Sequence, residues 1–172
     1  MNILRLVAAV FLAALAAVPA AAGDSVAQIE ITNLRYGLVC GPDDNMRVCF
    51  QAADIPITGE GHCIFDHKPI ACTWYGLSFD FKLAGDEAEL HCHYTSNVGM
   101  NLGNPNGRSG DNVTSNDFTF TLKTADGPHY FNPQYLSYPE AHDGSTQELH
   151  EVCRFGDQVV YDILFKLHMP EI

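Results

Sequence analysis

Six cysteines, Cys40, Cys49, Cys63, Cys72, Cys92 and Cys153, all lie downstream of an N-terminal stretch that reads as an export signal. That stretch has one cation, Arg5, then an apolar run from Leu6 to Val18, then Pro19 and Ala20-Ala21-Ala22. Small residues in this arrangement are what a signal peptidase cuts after, so residues 1–22 are expected to be a secretory signal peptide. The apolar run is shorter than the roughly 20 residues a membrane-spanning helix needs, and no later segment approaches that length. Residues 23–172 would form one domain of about 150 residues, enough for a real core. Such a chain folds where thiols oxidise, in a periplasm or outside the cell, and disulfide bridges are the expected use of its sulfur.

Two cysteine pairs share one spacing, Cys40-GPDDNMRV-Cys49 and Cys63-IFDHKPIA-Cys72, each enclosing turn-forming residues between apolar ones. A hairpin at each would bring the two ends within disulfide range, leaving Cys92 to join Cys153 by elimination. In the chain-entropy picture each short bridge contributes about 2.7 kcal/mol and the long one about 4 kcal/mol. A thiolate zinc site is disfavoured because no Cys-x2–4-Cys knuckle is present.

The pattern between the cysteines is that of strands. In Thr73–Leu83 the residues Tyr75, Leu77, Phe79, Phe81 and Leu83 alternate with Trp74, Gly76, Ser78, Asp80 and Lys82. Asp157–His168 alternates in the same way, with Val159, Tyr161, Ile163, Phe165 and Leu167 expected inward, and so does Asp117–Lys123 through Phe118, Phe120 and Leu122. Weaker strands are expected at Val26–Thr32, Leu34–Cys40, Arg47–Ala52, Glu89–Ser96 and Gln147–Phe155. Eight or so short strands ending in Gly, Pro, Asn or Asp predict an all-β fold, an antiparallel β-sandwich stapled by disulfides. An outer-membrane barrel is disfavoured, because Asp80, Lys82, Asp162 and Lys166 stand in mid-strand on the faces that lipid would cover. The sandwich is immunoglobulin-like in architecture with its topology unassigned. The residues two before Cys92 and Cys153 are Leu90 and Glu151 rather than the tyrosine of the immunoglobulin signature.

Two long connections are expected, 97–112 and 125–146, presented at one end of the sandwich. The first holds four glycines and five asparagines, suited to turns and left-handed backbone. The second carries Tyr130, Phe131, Tyr135 and Tyr138. These four aromatics with Asn104 and Asn106 make the candidate binding surface, for a protein or a carbohydrate partner, against the alternative that the rings cap the core.

His91 and His93 flank Cys92 and share one face of a strand, which could begin a zinc or copper site in a metal-binding protein or a small metal-dependent hydrolase. Asp43 and Asp44, in a turn, and the asparagines of the first connection offer oxygen ligands suited to calcium. Solvated histidines and ordinary Asn/Asp turns are the plainer explanation of both, and no cofactor is required. No catalytic residue is assigned: Ser109 sits in Gly-Arg-Ser-Gly-Asp without a nucleophile-elbow pattern, and nucleotide-binding glycine motifs are absent. With 21 acidic against nine basic side chains and a formal charge of −12, the chain repels phosphate backbones, so nucleic acid is excluded as a partner. The expected role is a non-catalytic binding or assembly module, with edge-strand addition to another protein as a further alternative.

Overall fold

The computed structural model describes residues 29–41, 45–65, 67–100, 113–138 and 143–171. Among them ten strands build two facing sheets, an antiparallel-rich β-sandwich as the alternation predicts. The first sheet contains β1 (Ile29–Cys40), β2 (Arg47–Gln51), β4 (Gly61–Phe65), β5 (Lys68–Leu83) and β8 (His129–Ser137). Its spine is β5, 16 residues long, which pairs with β1, β4 and β8. The second sheet runs β3 (Asp54–Pro56), β10 (Gln158–His168), β9 (Thr146–Phe155), β6 (Glu87–Met100) and β7 (Val113–Lys123). Only β3 against β10 is a parallel pair.

The core lies between the sheets and is strongly aromatic. From the first sheet, Tyr75, Leu77, Phe79 and Phe81 point inward. From the second come Leu90, Tyr94, Phe118, Phe120, Tyr161 and Phe165. Rings meet across the interface: Phe79 lies 5.9 Å from Tyr161, Tyr75 lies 5.2 Å from Phe165, and Tyr130 stacks on Phe120 at 4.7 Å. Each such pair adds about 0.5–1.5 kcal/mol beyond the area it buries.

The bridges are Cys40–Cys49, Cys63–Cys72 and Cys92–Cys153, the pairing that the spacing suggests, and no cysteine is free. Cys92 and Cys153 are register partners on β6 and β9, with Cα atoms 4.1 Å apart. Cys63 and Cys72 sit two residues off register across the β4–β5 hairpin, with Cα atoms 6.0 Å apart. All three bridges join strands of the same sheet.

The structure corrects several expectations. The segments 29–32 and 34–40 form one strand, β1, interrupted by a bulge at Asn33, whose φ of 53° is left-handed. Val159 is 45% exposed rather than inward, because a register shift between Val159 and Tyr161 turns Val160 inward in its place. The segment 125–146 is not one long connection, since it contains β8, whose Pro133 lacks a ladder N–H and is tolerated because β8 pairs only with β5. The first connection also gives up residues 97–100 to β6.

Replacing Cys92 and Cys153 together by alanine is expected to lower unfolding free energy by about 4 kcal/mol, against about 2.7 kcal/mol for the Cys40/Cys49 pair. Urea denaturation of the two double variants measures the difference, and a smaller loss for the Cys92/Cys153 variant would contradict it.

Candidate functional site

The outer face of the first sheet carries a groove of about 700 Å³. Its floor is β5, where Ser78 has Arg35 of β1 on one side and Phe131 of β8 on the other, and where Asp80 faces His129. Met46 and, from the start of β2, Arg47 and Val48 complete the described lining. Register shifts occur twice along β1, at Asn33 and again between Leu38 and Val39. Gly37 and Gly76, register partners beside the groove, are required by close approach: a Cβ at Gly37 would collide with the Phe50 carbonyl, and one at Gly76 with the Asn132 carbonyl. Ser78 is only 7% exposed although it alternates out of phase with the core residues Leu77 and Phe79.

The groove has a defined polar pattern. Asp80 accepts from the Asn33 amide at 2.6 Å through Oδ2, and its Oδ1 lies 2.8 Å from His129 Nδ1. A carboxylate can only accept, so Nδ1 of His129 carries the proton that it donates. The hydrogen bond from Asn33, followed by that from His129, holds the Asp80 carboxyl below its usual range, so it is ionised at neutral pH. The ion pairs among the described residues are all between histidine and a carboxylate. Arg35 and Arg47 thus line the groove with no described carboxylate within ion-pair distance.

The four sequence-predicted rings do not form one surface. Tyr130 points inward between Phe79 and Phe120. Phe131 faces the groove. Tyr135 packs edge-on against Trp74 at 5.1 Å, and its hydroxyl donates to the Ile64 carbonyl. Tyr138 packs partly against the core, past the end of β8. Asn104, Asn106, Asp43 and Asp44 lie outside the described residues.

His91 and His93 do share the outer face of β6, but each already faces a carboxylate: Glu89 at 3.4 Å and Asp117 at 2.6 Å. His150 is engaged by Asp162, and His168 by Asp54. Among the described residues no group of three His, Cys, Asp or Glu side chains is placed to hold a metal ion. Nor is any helix of these residues long and apolar enough to cross a membrane.

One charged group escaped sequence reasoning. Glu151, on β9, is fully buried between the sheets, with Tyr94 and Ile163 as its register neighbours. Tyr161 donates its hydroxyl proton to Oε1 at 2.6 Å, and Gln134 of β8 donates to Oε2 at 3.1 Å and to the Tyr94 hydroxyl at 2.8 Å. Burial raises the Glu151 carboxyl from 4.5 to about 7, with the hydrogen bonds from Tyr161, Tyr94 and Gln134 opposing that rise. Burial and then the Glu151 charge push the phenols of Tyr75, Tyr94, Tyr130 and Tyr161 upward, keeping them protonated as donors. The visible signal in the sequence is phase alone: Glu151 alternates in step with Leu149 and Cys153, both buried.

Fold and groove together define a disulfide-stapled β-sandwich module. Its structure is similar to that of an immunoglobulin-like protein from Pseudomonas aeruginosa, 15% identical, over 83% of this chain and 98% of that one, with a TM-score of 0.49. No protein-family model and no curated protein matches the chain.

The folded chain holds the Glu151 proton more tightly than the unfolded chain does. The stability tied to the neutral acid is therefore complete below about pH 4.5 and is lost as pH rises through about 7. A rise of that size corresponds to about 3 kcal/mol. Glu151→Gln, which cannot ionise, is expected to be more stable than the parent by about that amount at pH 8 and equal to it at pH 4. Urea melts at the two pH values measure this, and a variant no more stable at pH 8 would contradict it.

Proposed function

We propose that the chain is an exported, non-catalytic binding module whose ligand seats in the groove on the outer face of the first sheet. Residues 1–22 are its signal peptide, residues 23–172 its single β-sandwich domain, and its place of work is a periplasm or the cell exterior. Three bridges that leave no cysteine free support the compartment, because such bridges persist where glutathione does not reduce them.

The observation that carries the binding reading is the burial of Ser78. A sheet's outer face ordinarily meets water, yet here Ser78 is buried and borders an open-sided space of about 700 Å³ that Met46, Arg47 and Val48 also line. That volume falls among those of small-molecule sites, and the described lining sets polar and charged side chains beside apolar Leu34, Met46, Val48 and Phe131. The fixed Asp80–His129–Asn33 set supplies orientation, and Phe131 and Met46 supply contact area.

Two-dimensional NMR of ¹⁵N-labelled protein against a mixture of organic acids, amines, amides and neutral sugars tests this. Shifts are expected to gather on Leu34, Arg35, Ser78 and Phe131. Ser78→Phe, which fills the groove from its floor, is expected to abolish them with little change in melting temperature. Shifts gathered elsewhere, no shifts at all, or undiminished binding by Ser78→Phe would each overturn the assignment.

A further inference from the structure

We propose that the groove takes a small organic monoanion, its carboxylate held by Arg35 and Arg47 and its flat apolar body laid against Phe131 and Met46. This inference rests on the reading of the groove as a ligand site, and names the class of ligand.

Charge is the first ground. The chain has 21 acidic and nine basic side chains, so a surface patch taken at random is negative. Among the described lining residues that balance is reversed: two are arginines and one, Asp80, is a carboxylate. Asp80 is also engaged, with Asn33 on one oxygen and His129 on the other. Among the described lining residues arginines thus outnumber carboxylates by one, the balance that a monoanion complements.

Residue type is the second ground. Arginine presents a planar fork of N–H donors that meets a carboxylate through two parallel hydrogen bonds, which a lysine ammonium does not reproduce. Among the described lining residues both guanidinium or ammonium groups are arginines, whereas Lys68, Lys82, Lys123 and Lys166 all lie outside the lining. The remaining lining from Leu34, Met46, Val48 and Phe131 is apolar, and favours a flat hydrocarbon body over a sugar.

Calorimetric and NMR titration with 3-phenylpropionate, its amide, 3-phenylpropylamine and phenylalanine tests the assignment. The acid is expected to bind at least about tenfold more tightly than the amide, the advantage of a charge-assisted contact over a neutral one. Arg35→Met and Arg47→Met are each expected to reduce that ratio, with Arg→Lys at the same positions retaining part of it. Phe131→Ala should weaken acid and amide alike. Equal binding of acid and amide at the groove would overturn the anion assignment and leave the groove standing as a ligand site. Tighter binding of the amine or of phenylalanine would instead give Asp80 the ligand's charge, and would also overturn it. If the acid shifts no groove resonance, the monoanion assignment falls. The groove itself then falls only if the broader mixture also leaves it unperturbed.

Discussion

No disulfide joins the two sheets of this sandwich. Each bridge ties strands within one sheet, so the layers cohere through the packing of aromatic rings between them. The bridges act on a different problem, that of register. A one-residue slip in a strand pair moves every inward side chain to the solvent face. Cys92 opposite Cys153 forbids that slip at the centre of the second sheet, and Cys63–Cys72 does so where β5 begins. With registers pinned, the alternation of Tyr75, Leu77, Phe79 and Phe81 necessarily meets that of Tyr161, Ile163, Phe165 and Leu167.

The cost of this arrangement is concentrated at Glu151. A carboxyl in a dry aromatic core opposes folding once it ionises, yet one of its oxygens accepts from Tyr161 within the second sheet and the other from Gln134, which ties β8 to that sheet. β8 is an edge strand, paired only with β5, and its proline removes one ladder donor. Gln134 gives it an anchor that the ladder does not. On the opposite face of the same strand stand Phe131 and His129, which line the groove. The buried clamp therefore fixes the groove wall from behind, and a local destabilisation is spent on positioning an outer surface.

Much of the fold was legible because strands with one buried face write their geometry in a period of two. Thr73–Leu83, Asp117–Lys123 and Asp157–His168 did so plainly, and equal spacing in two cysteine pairs pointed to hairpins. Bulges leave no such mark: the inversion at Val159 and Val160 depends on one extra residue between ladder bonds. β8 was hidden because nearly every residue of it is half-buried, one face by the core and the other by the groove, so alternation disappears. The groove itself was illegible for a related reason. It exists only where the β1–β2 hairpin meets residues far along the chain, such as His129 and Phe131, and no local pattern encodes that meeting. Phe131 was singled out as an exposed aromatic, but its companions Tyr130 and Tyr135 face the core and the Trp74 corner.

The acidity of the chain and the arginines of the groove are best understood by range. At physiological ionic strength, charges more than about 8 Å apart scarcely sense each other across water, so the formal charge of −12 governs dispersal in solution and the approach of other macromolecules. Inside the groove, the low-dielectric walls of Phe131, Leu34 and Val48 strengthen short-range interactions, and local side chains dominate. A chain with an acidic exterior can still present a locally basic cleft, provided that partners of their own occupy the oxygens of nearby carboxylates. Asn33 and His129 do this for Asp80, and Asn33 is available to do so because the bulge in β1 holds it in a left-handed turn. The backbone irregularity that obscured the strand in the sequence is thus the same one that sets the Asn33 amide on Asp80 beside the groove.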